Sequence, residues 1–250
     1  MGPDLSGKVA FVTGATSGLG RHFVQLLCRH GARVAAAGRR AERLAELAQD
    51  IGGQGGICLP VALDITDAAA IAPAVAAAEH ALGVVDILVN NAGMSVQGLA
   101  TEISPDNFDA VLNTNLRAPF LLATEVARRL MVHKRPGRII NIGSIGGFRV
   151  LPGLSAYCTT KAGVAMMTQC LAREWARKDI NVNALCPGYI ETELNAAWFK
   201  TEKGLEQIRG FPRKRLAEAL DLDGMFLLLV SDASRAITGS ILTVDDAQSL

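Results

Sequence analysis

Neither an excess of charge nor a long apolar run is present in this sequence. Its 250 residues carry 25 Lys+Arg against 24 Asp+Glu, a net charge of +1. Such balance gives no electrostatic case for nucleic acid or an anionic membrane as partner. The basic clusters are local, Arg39-Arg40 and Arg213-Lys214-Arg215, enough for a single phosphate. No apolar stretch reaches the ~20 residues of a membrane span. The start, Met1 to Lys8, has no apolar stretch behind a basic beginning as a secretory leader would. A cytoplasmic protein is expected.

Cysteine is sparse and scattered. Cys28, Cys58, Cys158, Cys170 and Cys186 form no C-x-x-C pair and no zinc spacing. Their odd number and mostly apolar neighbours read as buried, reduced thiols. His22, His30, His80 and His133 have no partner spacing and read as surface or helix-end residues. Asp245-Asp246 are two adjacent carboxylates without further ligands, which rarely hold a cation. No metal is expected. Also missing are a Pro/Gly/Ser-rich linker, a charge block and an internal repeat, so residues 1–250 are expected to form one domain.

What is there is globular composition, half of it hydrophobic, with enough material for a core. Short apolar runs alternate with helical stretches along the chain. Strands are expected at Val9–Val12, Arg33–Ala37, Gly56–Val61, Asp86–Asn90, Arg138–Ile142, Ile180–Leu185 and Ile241–Val244. Helices are expected at Gly18–Arg29, Ala41–Asp50, Ala68–Ala81, Asp106–Met131, Ser155–Arg177, Glu193–Arg209 and Arg215–Leu229. Strands that are apolar throughout and separated by helices imply a parallel sheet buried on both faces, joined by right-handed crossovers. The expectation is an α/β fold with one doubly wound domain.

After the first strand comes Thr13-Gly14-Ala15-Thr16-Ser17-Gly18-Leu19-Gly20. Glycines there let the backbone turn sharply and approach a pyrophosphate, whose charge meets the positive end of the next helix. Thr16 and Ser17 add hydroxyls. About 20 residues further on, a dinucleotide fold reads the adenosine ribose. This chain has Gly38-Arg39-Arg40 there and no acid. A guanidinium fork suits a 2′-phosphate, so NADP(H) is the expected cofactor, with NAD(H) the alternative. Arg39, closer to the strand end, is the better candidate for the phosphate; Arg40 also reads as a cap of the following helix.

The spacing Gly-x-x-x-Gly-x-Gly resembles that of the classical short-chain dehydrogenases/reductases. The resemblance implies a Rossmann-type domain with a seven-stranded, mostly parallel sheet flanked by helices. It extends to Asp64-Ile65, expected at the adenine edge, and to Asn91-Ala92-Gly93 after the fourth strand, expected beside the ribose. Pro187-Gly188-Tyr189-Ile190-Glu191-Thr192 looks like the family's carboxamide-binding segment, through Pro187, Gly188, Ile190 and Thr192.

The chain has only two tyrosines, and one begins Tyr157-Cys158-Thr159-Thr160-Lys161 early in an expected helix. The i, i+4 spacing sets Tyr157 and Lys161 on one face. A nearby ammonium and the positive nicotinamide of an oxidised cofactor favour the phenolate, moving Tyr157 toward general acid/base work. Ser144 stands thirteen residues before Tyr157, where the family holds the substrate oxygen. Asn115 matches the family's fourth member, the anchor of a proton-relay water at a helix kink.

The implied activity is an oxidoreductase interconverting a ketone and a secondary alcohol, with Asn115, Ser144, Tyr157 and Lys161 catalytic. Overall the chain looks most like the branch of the bacterial 3-oxoacyl-carrier-protein reductases, which makes a 3-oxoacyl thioester the first substrate expectation. Secondary alcohols, steroids and polyols are alternatives, and a non-catalytic dinucleotide sensor is the alternative of a different class. Residues 190–215 resemble the family's substrate lid. Leu194, Trp198, Phe199 and Phe211, with Met94, Val96, Phe148, Leu151 and Leu154, are expected around an apolar substrate pocket. Arg135, Arg177 and Lys178 are candidates for docking an acyl-carrier protein or a CoA phosphate. A homotetramer is implied by the resemblance. The reading Val244-Asp245-Asp246-Ala247, where relatives have Val-Asp-Gly-Gly, departs from the family.

Overall fold

In the computed structural model, which describes residues 2–193 and 195–250, seven strands form one sheet. They are β1 (Val9–Thr13), β2 (Arg33–Gly38), β3 (Ile57–Ala62), β4 (Ile87–Asn90), β5 (Gly137–Ile142), β6 (Ile180–Pro187) and β7 (Ile241–Val244). Their order is β3-β2-β1-β4-β5-β6-β7. Every pairing is parallel, β7 included, so the mostly parallel sheet expected from the family is parallel throughout.

The apolar strands split their side chains between two faces, as the period of two dictates. Val9 and Phe11 join Leu88, Ile139 and Val182 in one core. That core is closed by α3 (Ala68–Leu82), α5 (Ala118–His133) and α6 (Ser155–Trp175). Ala10 and Val12 face the other way, with Ile87, Val89 and Ile140. There α1 (Gly18–Arg29), α2 (Ala41–Gly53) and α9 (Asp223–Val230) cover them. Phe23 of α1 and Phe226 of α9, both fully buried, stack with centroids 4.2 Å apart. Large side chains meeting this closely lock two helices to one face of the sheet.

One mostly helical expectation is met with a local change of pitch, and two others are corrected. The stretch 106–131 is α4 (Pro105–Leu112), a π-helical turn (Asn113–Arg117) and then α5. The stretch 193–209 breaks into α7 (Ala196–Phe199) and α8 (Glu202–Gly210), because Thr201 caps α8 by accepting the Gly204 N–H at 3.1 Å. The helix expected from Arg215 begins later. Ala217 is drawn into an extended bridge with Ile190, donating to the Tyr189 carbonyl at 2.9 Å, and a capping box at Glu218 starts the next turn.

Strand order reverses between β1 and β4, and the loops at the carboxyl ends of the strands open there. Open parallel sheets bind ligands at such a switch point. Among the described residues no helix is long and apolar enough to cross a membrane.

Candidate active site

A cleft of about 590 Å³ lies over these carboxyl ends, within the size range of cofactor pockets. The glycine loop forms one wall. Gly14 and Gly18 have φ of 67° and 51°, a left-handed backbone that favours glycine. A Cβ on Gly14 would stand 2.8 Å from Ala92 Cα, so the loop and the end of β4 touch backbone to backbone. Asn91 fastens this approach. Its amide donates to Thr13 O at 2.9 Å and Gly14 O at 3.4 Å, while Thr13 Oγ1 accepts from the Asn91 and Ala92 amides. Asn91 therefore spends its side chain on shaping the loop, which sits beside the N-terminus of the twelve-residue α1.

Of the arginine pair, Arg40 is the one bound into the wall. Its Nη2 donates to Thr16 Oγ1 at 2.7 Å and Ser17 Oγ at 2.9 Å. Arg40 does occupy the capping position of α2, but its side chain makes no cap bond. Arg39 is exposed and also lines the cleft. Asp64 lines it with one carboxylate oxygen engaged by Thr66, whose amide and hydroxyl donate at 2.9 and 2.7 Å. Those hydrogen bonds hold the Asp64 carboxyl below its ordinary range. The cleft lining includes Gly14, Thr16, Ser17, Gly18, Leu19, Asp64, Ile65, Asn91, Ala92, Gly93, Pro187, Gly188, Ile190 and Thr192. Gly20 lies behind the loop, where a Cβ would strike the Gly14 carbonyl.

At the other end Ser144 follows β5, while Tyr157 and Lys161 rise from the first turns of α6. A Cβ on Gly146 would stand 3.3 Å from Tyr157 Cε1 and 3.4 Å from Ser144 Oγ, so the two hydroxyl-bearing side chains flank one point. A Cβ on Gly93 would stand 3.4 Å from Asn115 Oδ1 and 4.0 Å from Lys161 Nζ. Lys161 donates to the Ile142 carbonyl at 2.7 Å. Asn115 is buried in the π-helical turn. It accepts the Met94 amide at 2.8 Å and donates to Met94 O at 2.8 Å and Thr160 Oγ1 at 3.1 Å. The four residues expected to be catalytic are brought together.

The electrostatics differ from the sequence expectation in one respect. Burial pushes the Lys161 ammonium down to about 8. Burial also pushes the Tyr157 phenol up, opposed by a hydrogen bond with Ser144. Desolvation therefore outweighs the hydrogen bond that favours the phenolate. Buried Cys186 stands behind the group. Its thiol is raised by burial and lowered by the Ser144 backbone N–H and by Lys161.

The apolar pocket is partly as expected. Met94, Leu151 and Leu154 line the cleft. Phe199 and Phe211 instead pack on Tyr189, at 5.7 Å edge-on and 5.4 Å stacked. Phe148 and Trp198 are exposed, Val96 is outside the lining, and Leu194 lies outside the described residues. Tyr189, the second of only two tyrosines, also lines the cleft; the sequence places it in the carboxamide-binding segment without giving it a role. Glu193 and Asn195, also in the lining, had no signal beyond following Thr192.

Other expectations change as well. Only Cys186 is fully buried; Cys170 is exposed and the remaining three are half-buried. His22 has a partner after all, its Nε2 2.5 Å from Asp223 Oδ1. Arg135 is committed to Asp86 at 2.6 Å. Together with Arg177 and Lys178 it lies at the amino ends of β5 and β6, the edge of the sheet opposite the cleft. An acyl carrier docked there would not face the site. Asp246 pairs with Arg215 at 2.7 Å and Arg213 at 3.5 Å, and Asp245 accepts the Ala247 and Ser249 amides. Among the described residues no three His, Cys, Asp or Glu side chains gather as a metal site.

A doubly wound sheet with a glycine loop, an arginine fork at one end of the cleft and a half-buried tyrosine beside a buried lysine at the other defines a dinucleotide-dependent oxidoreductase. Comparison with known proteins names the family. The sequence model of the short chain dehydrogenase family matches residues 8–203, and the chain belongs to that family. It is 34% identical over 243 residues to the gluconate 5-dehydrogenase of Gluconobacter oxydans, covering 97% of this chain and 94% of that one. It is 35% identical over 246 residues to the 3-oxoacyl-[acyl-carrier-protein] reductase of Thermotoga maritima, covering 96% and 97%. The crystal structure of a gluconate 5-dehydrogenase from Burkholderia cenocepacia in complex with NADP and tartrate is similar, with TM-score 0.94 and 32% identity. That match covers 98% of this chain and 96% of that one.

Proposed function

We propose that this chain interconverts a ketone and a secondary alcohol with NADP(H), using Tyr157 as general acid/base. The observation that carries the reading is the division of the cleft. Arg40, Thr16 and Ser17 gather donors at one end, and Ser144, Tyr157, Lys161 and Asn115 converge at the other. These donor sets fit the two ends of a phosphorylated dinucleotide. The NADP complex of the Burkholderia relative supports the same choice.

A bound nicotinamide supplies or accepts hydride at the substrate carbon. The protein's own work is proton management and alignment. Ser144 donates a hydrogen bond to the substrate oxygen and polarises it. Tyr157 gives that oxygen its proton during reduction and takes it back during oxidation. Lys161 favours the phenolate and holds the ribose. Asn115 fixes Met94 and Thr160 beside the lysine, keeping a route for the proton to solvent.

A neutral carbonyl compound, a 3-oxoacyl thioester first, is favoured over an aldonate. Among the described residues the cations of the cleft lining are Arg39, Arg40 and Lys161, and none of these is left for a substrate carboxylate beside Met94, Ile145, Leu151, Leu154 and Tyr189. Residues 190–215 act as the substrate lid, held by the packing of Phe199 and Phe211 on Tyr189. A homotetramer belongs to the same reading, supported by exposed Phe108, Phe120 and Met166 on α4, α5 and α6.

Initial rates with NADPH and NADH against 3-oxoacyl thioesters, aromatic ketones, steroids, polyols and gluconate test the proposal. Turnover preferring NADPH and lost in Tyr157→Phe is expected. Dinucleotide binding without turnover on the whole panel, unaltered by that substitution, would favour the sensor instead.

A further inference from the structure

Arg40 at the proposed phosphate end of the cleft, and Arg43 one turn further along α2, already hold an anion. Glu193, in the segment after β6, places Oε1 2.6 Å from Arg43 Nη1 and Oε2 3.1 Å from Arg40 Nη1. The same Arg40 guanidinium donates from Nε and Nη2 to Thr16 and Ser17 of the glycine loop. Arg43, then Arg40, hold the Glu193 carboxyl down to about 2, so it is a carboxylate throughout the neutral range. It lies 153 positions from Arg40 in sequence, yet it lines the same cleft beside Ser17, Arg39 and Arg40.

In a dinucleotide fold, preference for the unphosphorylated ribose comes from an acid at the end of the second strand. Here that position is basic, and an acid arrives from across the cleft. We propose that Glu193 is a cofactor-specificity residue, an internal counter-anion that competes with the adenosine 2′-phosphate for Arg40 while Arg43 holds its other oxygen. The inference rests on the proposed function. A 2′-phosphate carries more charge than a carboxylate and suits the guanidinium fork better, so it displaces Glu193. Exposed ion pairs of this kind are weak, so the displacement costs affinity without abolishing it. A ribose with a free 2′-hydroxyl makes no such demand and leaves the pairs intact. Glu193 thus narrows the preference for NADP(H) that Arg40 creates. It also ties phosphate binding to release of the segment that follows Thr192.

The test is binding rather than turnover. Dissociation constants for NADPH, NADH, adenosine 2′,5′-bisphosphate and adenosine 5′-monophosphate are measured by calorimetry on wild type and Glu193→Gln. Expected are roughly 3- to 10-fold tighter binding of the two 2′-phosphorylated ligands and a change under twofold for the other two. The difference should shrink at high salt, as screening of exposed charges requires. Equal changes for both classes, no change, or weaker NADPH binding would overturn the inference while leaving the proposed function standing. Failure of the wild type to bind either dinucleotide would sink both.

Discussion

The Nζ of Lys161 stands 5.6 Å from the centroid of the Tyr157 ring, held there by its 2.7 Å bond to the Ile142 carbonyl. A buried cation beside an aromatic face is attracted by the ring quadrupole, and both groups come from successive turns of α6. The carbonyl belongs to β5, so the helix and the strand fix the lysine together. The pair is consequently held in place by α6 and β5 together.

Tyr157→Phe removes the transferable proton and leaves the packing of the ring. Turnover is expected to fall by roughly 10²- to 10⁴-fold, the usual contribution of a general acid/base. NADPH affinity should stay within a few-fold of wild type. Steady-state kinetics alongside a binding titration check this, and retention of more than a tenth of wild-type kcat would remove Tyr157 from the mechanism.

Lys161 makes a pH-dependent prediction about stability. Its folded value near 8 lies below the ordinary 10.5. Between those limits the unfolded chain holds a proton that the folded protein has lost, so stability rises with pH across that window. Below 8 the full cost of the buried charge is present. Melting temperatures of wild type and Lys161→Met at pH 7, 8, 9 and 10 should therefore shift in favour of wild type as pH rises. A pH-independent difference would mean that the lysine is not desolvated.

Asn115 satisfies both backbone groups of Met94 and the Thr160 hydroxyl from a buried position. Asn115→Ala leaves the Met94 amide and carbonyl without these partners, while Thr160 keeps its bond to the Tyr157 carbonyl at 2.7 Å. An unsatisfied polar group shielded from water costs about 1–3 kcal/mol. Chemical denaturation should show a loss of that order, accompanied by a fall in kcat. Unchanged stability would imply that water replaces the amide.

Ala247 adopts φ 63° and the adjacent Asp246 φ 53°. A left-handed conformation strains a residue with a Cβ. Asp246 has the Arg213 and Arg215 pairs in compensation; Ala247 has no polar side chain to compensate. Ala247→Gly is expected to stabilise the protein by about 1 kcal/mol or less, since glycine relieves the strain but loses more backbone entropy. Calorimetry reads the sign, and a lower melting temperature would show that the Ala247 methyl packs favourably.

Much of this protein is written in local patterns. Apolar runs separated by helices specify a parallel sheet buried on both faces. The glycine spacing after Val12 and the i, i+4 relation of Tyr157 and Lys161 are features of single elements, set by backbone geometry alone. What the sequence left open depends on partners remote along the chain. Ala217 leaves the helical pattern because Tyr189 offers a carbonyl. Tyr157 is raised because packing excludes water from it. Arg40, which reads equally as a helix cap, turns to Thr16, Ser17 and Glu193 because three separate loops end at the same edge of the sheet. Periodicity reports which face of an element is buried. It carries no information on which polar side chains then meet across the cleft, and only the tertiary structure decides that.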